Sequence, residues 1–240
     1  MSVNWEEVTG FSSQVFSALI NTSGRQRMLS QRIVMLLLHC QFLLREGRPL
    51  SEMETFQLLC QAIETFSVNH YDLVNGNQEK NLPWLPSDKL QKKLNEDGVE
   101  NLILTFIKQV DKLKNMLDEG RIIDDDCLNE LVSHAATTVL SSLNEITMIY
   151  EQEFHEFAAY QQQALETQSE KVLKAIRTIK KISHQTDIIS INSKIIASRA
   201  GEAGMQFKVI ANRLQGLNKD IEASSDDIIG YLELLLRKTD

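Results

Sequence analysis

The sequence predicts an all-α protein, a four-helix sensor bundle followed by an antiparallel coiled-coil helical hairpin, and three observations carry that reading. Only 3 prolines and 10 glycines occur in 240 residues. These residues punctuate strands, turns and loops, so few breaks separate long helices. Aromatics are 6%, and β-branched residues are scattered instead of alternating with polar ones, so the period-two mark of half-buried strands is missing. Towards the C-terminus, apolar residues are spaced alternately by three and four, the repeat of a coiled-coil seam.

The helices follow in order. The first is expected from about Ser12 to Glu46, breaking at Gly47-Arg48-Pro49, and the second from about Ser51 to Val74, ending at Asn75-Gly76-Asn77. The loop Leu82-Pro83-Trp84-Leu85-Pro86 leads to Ser87, an N-cap for a third helix reaching about Leu117. Gly120 interrupts the pattern, and Asp124, Asp125 and Asp126 favour the next helix start through the helix dipole. No glycine or proline then occurs before Gly201, so the last bundle helix is expected to flow into the output segment. Residues 1–155 are read as the bundle and 156–240 as the hairpin, with its tip near 199–206. One arm carries Val172, Ala175, Ile179, Ile182, Thr186 and Ile189; the other carries Ile210, Leu214, Leu217, Ile221, Ser224, Ile228, Tyr231 and Leu235. Between them Gly201-Glu202-Ala203-Gly204 supplies the reversal. A two-helix hairpin cannot bury both seams alone, so a homodimer is expected.

Composition narrows the function. Hydrophobic residues are 42% and charged residues 24%, ordinary for a globular protein. The net charge of −8 argues against a nucleic-acid partner, which requires a basic face. It leaves room for a small anion, which one arginine can hold locally. Cys40, Cys60 and Cys127 lie far apart with no CxxC pair, as expected of reduced thiols. The start MSVNWEEVTG lacks a basic region followed by an apolar stretch, so no signal peptide is expected. The longest apolar run, Ile33 to Leu38, is six residues, against ~20 for a membrane span. A cytoplasmic protein without membrane insertion is the expectation.

One residue sits on the wrong face. In Gly24-Arg25-Gln26-Arg27-Met28-Leu29-Ser30-Gln31-Arg32, Arg25 and Arg32 fall beside Asn21 and His39 on the polar stripe at ~100° per residue. Arg27 aligns instead with Phe16, Ile20, Val34 and Leu38, so it is predicted to be buried. A buried guanidinium needs a counter-charge, and no acid lies within one turn of it on its own helix. The partner must come from another helix, another subunit or a ligand, and a planar oxyanion matches the guanidinium fork. Ser23 and Gly24 would let a second helix approach closely.

The run GRQRMLSQR resembles the conserved box of PilJ-type sensor domains, which are related to the sensor bundles of nitrate-responsive kinases. The similarity extends weakly through FxxxxxDLVNGN from Phe66 and the LPWLPS loop, over roughly residues 12–155. The resemblance implies a four-helix bundle that dimerises through its first helix. It also implies nitrate or nitrite held near the dimer axis by Arg27 of each subunit, with Gly24, Ser23 and Gln31 completing the candidate ligand-binding set. Family members commonly lie between two membrane spans; the absence of a span here is a departure.

Residues 182–211, ISHQTDIISINSKIIASRAGEAGMQFKVIA, resemble the signalling tip of methyl-accepting chemotaxis receptors. The resemblance implies trimers of dimers and contact with the CheA kinase and the CheW coupling protein through Ile188, Ile191, Asn192, Arg199 and Glu202. Three positions depart from the family pattern: His184 replaces an aromatic, Ile196 a glutamate and Gln206 a glycine. The arms are short, so the methylated region of such receptors is expected to be absent, and Glu166 and Glu170 read as exposed coiled-coil charges.

No nucleophile elbow, phosphate loop or dinucleotide fingerprint occurs. His155, Glu151 and His134 lack the repeated Glu-x-x-His of di-iron bundles. No enzyme activity, metal or cofactor is expected. Two classes of function remain, a ligand-responsive signalling module and a ligand-independent coiled-coil scaffold or adaptor of a chemotaxis-like system.

Overall fold

The computed structural model describes residues 3, 5, 10–50 and 54–237. Helix α1 (Ser13–Arg45) starts where the Ser12 hydroxyl accepts the Val15 N–H at 3.3 Å, and it stops before Gly47 at φ +74°. Helix α2 (Glu54–Asn75) is followed by the predicted loop; its expected start at Ser51 lies outside the described residues. Gly76 is required there: at φ +77°, a Cβ would stand 2.6 Å from the Trp84 backbone nitrogen.

The third predicted helix is two. Helix α3 (Asp88–Gln91), capped by Ser87, passes into a π-helical turn at Lys92–Glu96. Gly98 then adopts the left-handed conformation at φ +74°, and α4 (Val99–Asp118) begins anew. The buried row steps by five from Leu94 to Val99 instead of by three or four, so the interruption shifts the hydrophobic period by about one residue. After Gly120, Asp124 caps α5 (Asp125–His134) through the Asp126 N–H at 3.1 Å. A π turn at Ala135–Val139 joins α5 to α6 (Leu140–Arg199) without a loop. A 3-10 turn at Gly201–Gly204 leads to α7 (Met205–Arg237). Among the described residues no helix is long and apolar enough to cross a membrane.

The chain forms two compact units, Met1–Ala158 and Ala159–Asp240. The first is the four-helix bundle, with α1, α2, α4 and the α5–α6 run around a core that includes Phe16, Leu37, Phe66, Phe106 and Tyr150, each at most 1% exposed. One end of that core is closed by rings: Trp5, Phe16 and Phe157 stack pairwise with centroids 5.2–5.7 Å apart.

The second unit is an antiparallel hairpin, and its arms do not meet along the predicted seams. The buried rows are Ser169, Ile176, Ser183, Ser190 and Ala197 on one arm, and Gly204, Ala211, Asn218 and Ser225 on the other, each spaced by seven. The Ser183 hydroxyl donates to the Asn218 carbonyl at 3.3 Å. Lys194–Gln215 and Lys180–Asp226 pairs flank the contact. Small side chains let the helices approach, most tightly at the tip, where a Cβ on Gly204 would lie 2.0 Å from the Ala197 carbonyl oxygen. The seam residues Ile179, Ile182, Ile189, Ile210, Leu217 and Ile228 are left exposed within one chain.

Candidate ligand-binding site

Arg27 lies on α1 at the margin of the bundle, half-buried and not fully buried as predicted. The reason is visible along its own row. Phe16 and Val34 are buried, but Ile20 is half-buried and Leu38 is exposed, so the row runs along the edge of the core. The guanidinium Nη1 donates to the Asn144 side-chain oxygen on α6 at 3.1 Å. Among the described residues no ion pair of Arg27 is formed; a neutral amide is the intrachain partner of a partly desolvated cation. Gly24 lies one turn before it, and a Cβ there would touch Arg27 Nη2 at 3.4 Å, so the small residue leaves the guanidinium room.

The other members of the predicted set separate. Gln31, one turn after Arg27, is half-buried and donates to the Ala135 carbonyl at 3.1 Å. That carbonyl opens the π turn, where the regular helical ladder is interrupted. Ser23 is buried, and its hydroxyl is bonded to Thr147 of α6 at 2.7 Å. The structure therefore brings Gly24, Arg27 and Gln31 to one margin of α1 and takes Ser23 into the packing with α6. Arg25 and Arg32 are exposed and line a cleft towards α2 with Gln61 and Thr65.

Beside Arg27, α1 presents an apolar stripe to solvent. Met28, Met35, Leu38 and Phe42 are 54%, 61%, 41% and 57% exposed. With Gln31 they complete the three-four spacing of a coiled-coil seam. Isolated exposed apolar residues are ordinary, but a continuous stripe marks an interaction surface.

The DLVNGN segment has a structural explanation. Asp72 is buried and accepts from Asn77 at 2.8 Å and from Lys80 at 2.6 Å, which staples the loop after α2. Burial opposes ionisation of Asp72, but these hydrogen bonds and the Lys80 charge outweigh it and hold the carboxyl below its ordinary range. The LPWLPS loop anchors through Leu82 and Leu85, both buried, and ends at Ser87. The Ser87 hydroxyl accepts the Leu90 N–H at 3.3 Å and donates to buried Glu153 of α6 at 2.6 Å.

Sequence reasoning passed over Asn144, Gln26 and His70. Asn144 carried no signal, since it meets Arg27 across 117 positions of chain. The other two were legible by the argument applied to Arg27. Gln26 stands in the row Leu19, Ile33 and Cys40 at spacing seven, and all four are buried. His70 stands among Ile63, Phe66 and Leu73. Gln26 donates to the Phe66 carbonyl at 2.8 Å. Burial pushes the His70 imidazole down to about 4, so it is neutral near neutral pH.

In the second unit Ile188, Ile191, Asn192, Arg199 and Glu202 are all exposed, Arg199 at the end of α6 and Glu202 in the 3-10 turn. His184 and Gln206 are exposed as well, and so is Ile196, at 67%.

Comparison with known proteins finds two family matches along the chain. Residues 129–239 match the methyl-accepting chemotaxis protein signalling domain, and residues 10–113 match the N-terminal region of type IV pili methyl-accepting chemotaxis transducers. The chain is 27% identical over 173 residues to the methyl-accepting chemotaxis protein McpA of Bacillus subtilis, covering 71% of this chain and 22% of that protein. It is 36% identical over 64 residues to McpQ of Pseudomonas putida, 27% of this chain and 10% of the relative. A probable chemoreceptor of Sinorhizobium fredii, y4sI, is 40% identical over 53 residues, 22% of this chain and 7% of the relative. The chain thus spans less than a quarter of the length of these relatives. No solved structure matches it.

Proposed function

We propose that the chain is a chemotaxis-type signal transducer in which a small oxyanion, nitrate or nitrite, is held at a homodimer interface by Arg27 of both subunits. The hairpin relays its presence to CheA- or CheW-like partners through Ile188, Ile191, Asn192, Arg199 and Glu202. The observation that carries this reading is a half-buried guanidinium with a neutral intrachain partner, bordered by an exposed apolar stripe on the same helix. Pairing two copies of α1 along that stripe buries Met28, Met35, Leu38 and Phe42 and brings both arginines towards one axis. Two facing cations repel when the site is empty, and one monoanion offers acceptors to both forks. The exposed seams of the hairpin call for the same stoichiometry, since a second hairpin completes a four-helix coiled coil around them.

A second reading is favoured by the Asn144 bond itself. Arg27 already has a hydrogen-bond partner within the chain, as it would in a ligand-independent scaffold. Titrating the purified protein calorimetrically with nitrate, nitrite, chloride and sulfate separates the two. Saturable binding of nitrate or nitrite at one anion per dimer supports the sensor. Binding of none of the four, or a monomer by light scattering at micromolar concentration, contradicts it.

A further inference from the structure

The box on α1 looks two ways, and its inward face is a site of its own. Ser23, Gln26, His70, Leu90, Leu143 and Tyr150 line a cavity enclosed between α1, α2, α3 and α6. It measures about 10 Å3, about what one water molecule requires. Two residues of its lining each carry a buried polar atom with no hydrogen-bond partner among the described residues, Gln26 Oε1 and His70 Nε2. Their residues are 1% and 6% exposed. Leaving such groups unpaired costs on the order of 1–3 kcal/mol each, so native interiors rarely leave them bare.

The donors and acceptors can be counted. One N–H of Gln26 Nε2 donates to the Phe66 carbonyl, and Oε1 is an acceptor. The Thr147 hydroxyl donates to the Leu143 carbonyl at 2.9 Å. Its only proton is thereby used, so Ser23 must be the donor in the Ser23–Thr147 bond. Ser23 Oγ, on a residue that lines the cavity, keeps its acceptor capacity. The cavity therefore presents two acceptors, Gln26 Oε1 and Ser23 Oγ, and one group, His70 Nε2, free to take either role. A molecule with two donors and one acceptor satisfies all three when Nε2 carries the proton.

We infer that this cavity is a binding site for one sequestered water molecule, which donates to Gln26 Oε1 and Ser23 Oγ and accepts from His70 Nε2–H. Three hydrogen bonds are the usual complement of a buried water. An anion is excluded, because it cannot donate to Gln26 and the imidazole beside it is uncharged near neutral pH. The box thus divides its labour. Arg27 faces the margin, while Ser23 and Gln26 join α1 to α2 and α6 through a neutral, water-filled contact. This assignment does not rest on the anion reading.

Two measurements on the unaltered chain test it. A crystal structure that resolves ordered solvent should show one density peak within hydrogen-bonding distance of all three atoms. Nitrogen-15 NMR near neutral pH should show His70 with its proton on Nε2, and a long-lived water should transfer magnetisation to that ring. An empty cavity, a direct Gln26–His70 hydrogen bond or the proton on Nδ1 alone would overturn the assignment. The Gln26→Leu variant, which keeps the bulk and loses the acceptor, should lose the peak; retention of an equally ordered water would count against the bonding scheme.

Discussion

Acidification from about pH 7 to about pH 5 should destabilise the bundle through His70. In the unfolded chain the imidazole titrates at the ordinary 6.5, whereas burial lowers it to about 4 in the folded protein. Between those values the unfolded state binds the extra proton, so stability is complete above the unfolded value and is lost as pH falls towards the folded one. The full drop corresponds to about 3 kcal/mol, at about 1.4 kcal/mol per tenfold change in proton affinity. Between about pH 7 and about pH 5 the loss is about 2 kcal/mol by the same linkage. Against a typical stability of about 5–15 kcal/mol, that is readily measured by denaturant titration at each pH. His70→Phe keeps a ring and removes the titration, and it should flatten the curve in this range. Equal slopes for the variant and the unaltered protein would refute the assignment of the pH dependence to His70.

Other expectations follow from the same geometry. Ser87→Ala removes both the cap on α3 and a partner of buried Glu153; loss of a cap costs ~0.5–2 kcal/mol, and a melting curve unchanged by the substitution would contradict the double role. Gly204→Ala places a methyl group 2.0 Å from the Ala197 carbonyl oxygen. It should open the tip, reducing partner capture and lowering the unfolding temperature of the hairpin, while a Gly216→Ala control, with nothing within 4 Å, should do neither.

Much of the fold was legible because long helices announce themselves by period and by the lack of breakers. Ser87 caps α3 as its residue type foretold, and Ser12 and Asp124 cap the helices expected to start beside them. The break at Gly98 was passed over, although the apolar row steps by five from Leu94 to Val99 across it. The π turns were hidden, because inserting one residue into a helix changes the backbone and not the composition. In the hairpin, the apolar seams are exposed within one chain, and the arms themselves meet along Ser183, Ser190, Ala197, Gly204 and Ala211. Small residues carry little hydrophobic signal, and their value lies in permitting close approach. Arg27 was found because a charge on an apolar row is anomalous. Its degree of burial was overread, because the row lies at the edge of the core, with Ile20 half-buried and Leu38 exposed.

The account stands or falls on Arg27. Calorimetric titration of nitrate and nitrite into the unaltered protein, Arg27→Ala, Arg27→Lys, Arg25→Ala and Arg32→Ala tests it directly. Hydrogen bonds to charged groups contribute on the order of 1.5–3 kcal/mol each, so two guanidinium forks on one anion support an affinity in the micromolar range. The expected result is one anion per dimer, abolished by Arg27→Ala, weakened by Arg27→Lys, which lacks the planar fork, and nearly unchanged by Arg25→Ala and Arg32→Ala. Undiminished binding by Arg27→Ala, or loss confined to Arg25→Ala or Arg32→Ala, would contradict the placement of the sensing site on this margin of α1.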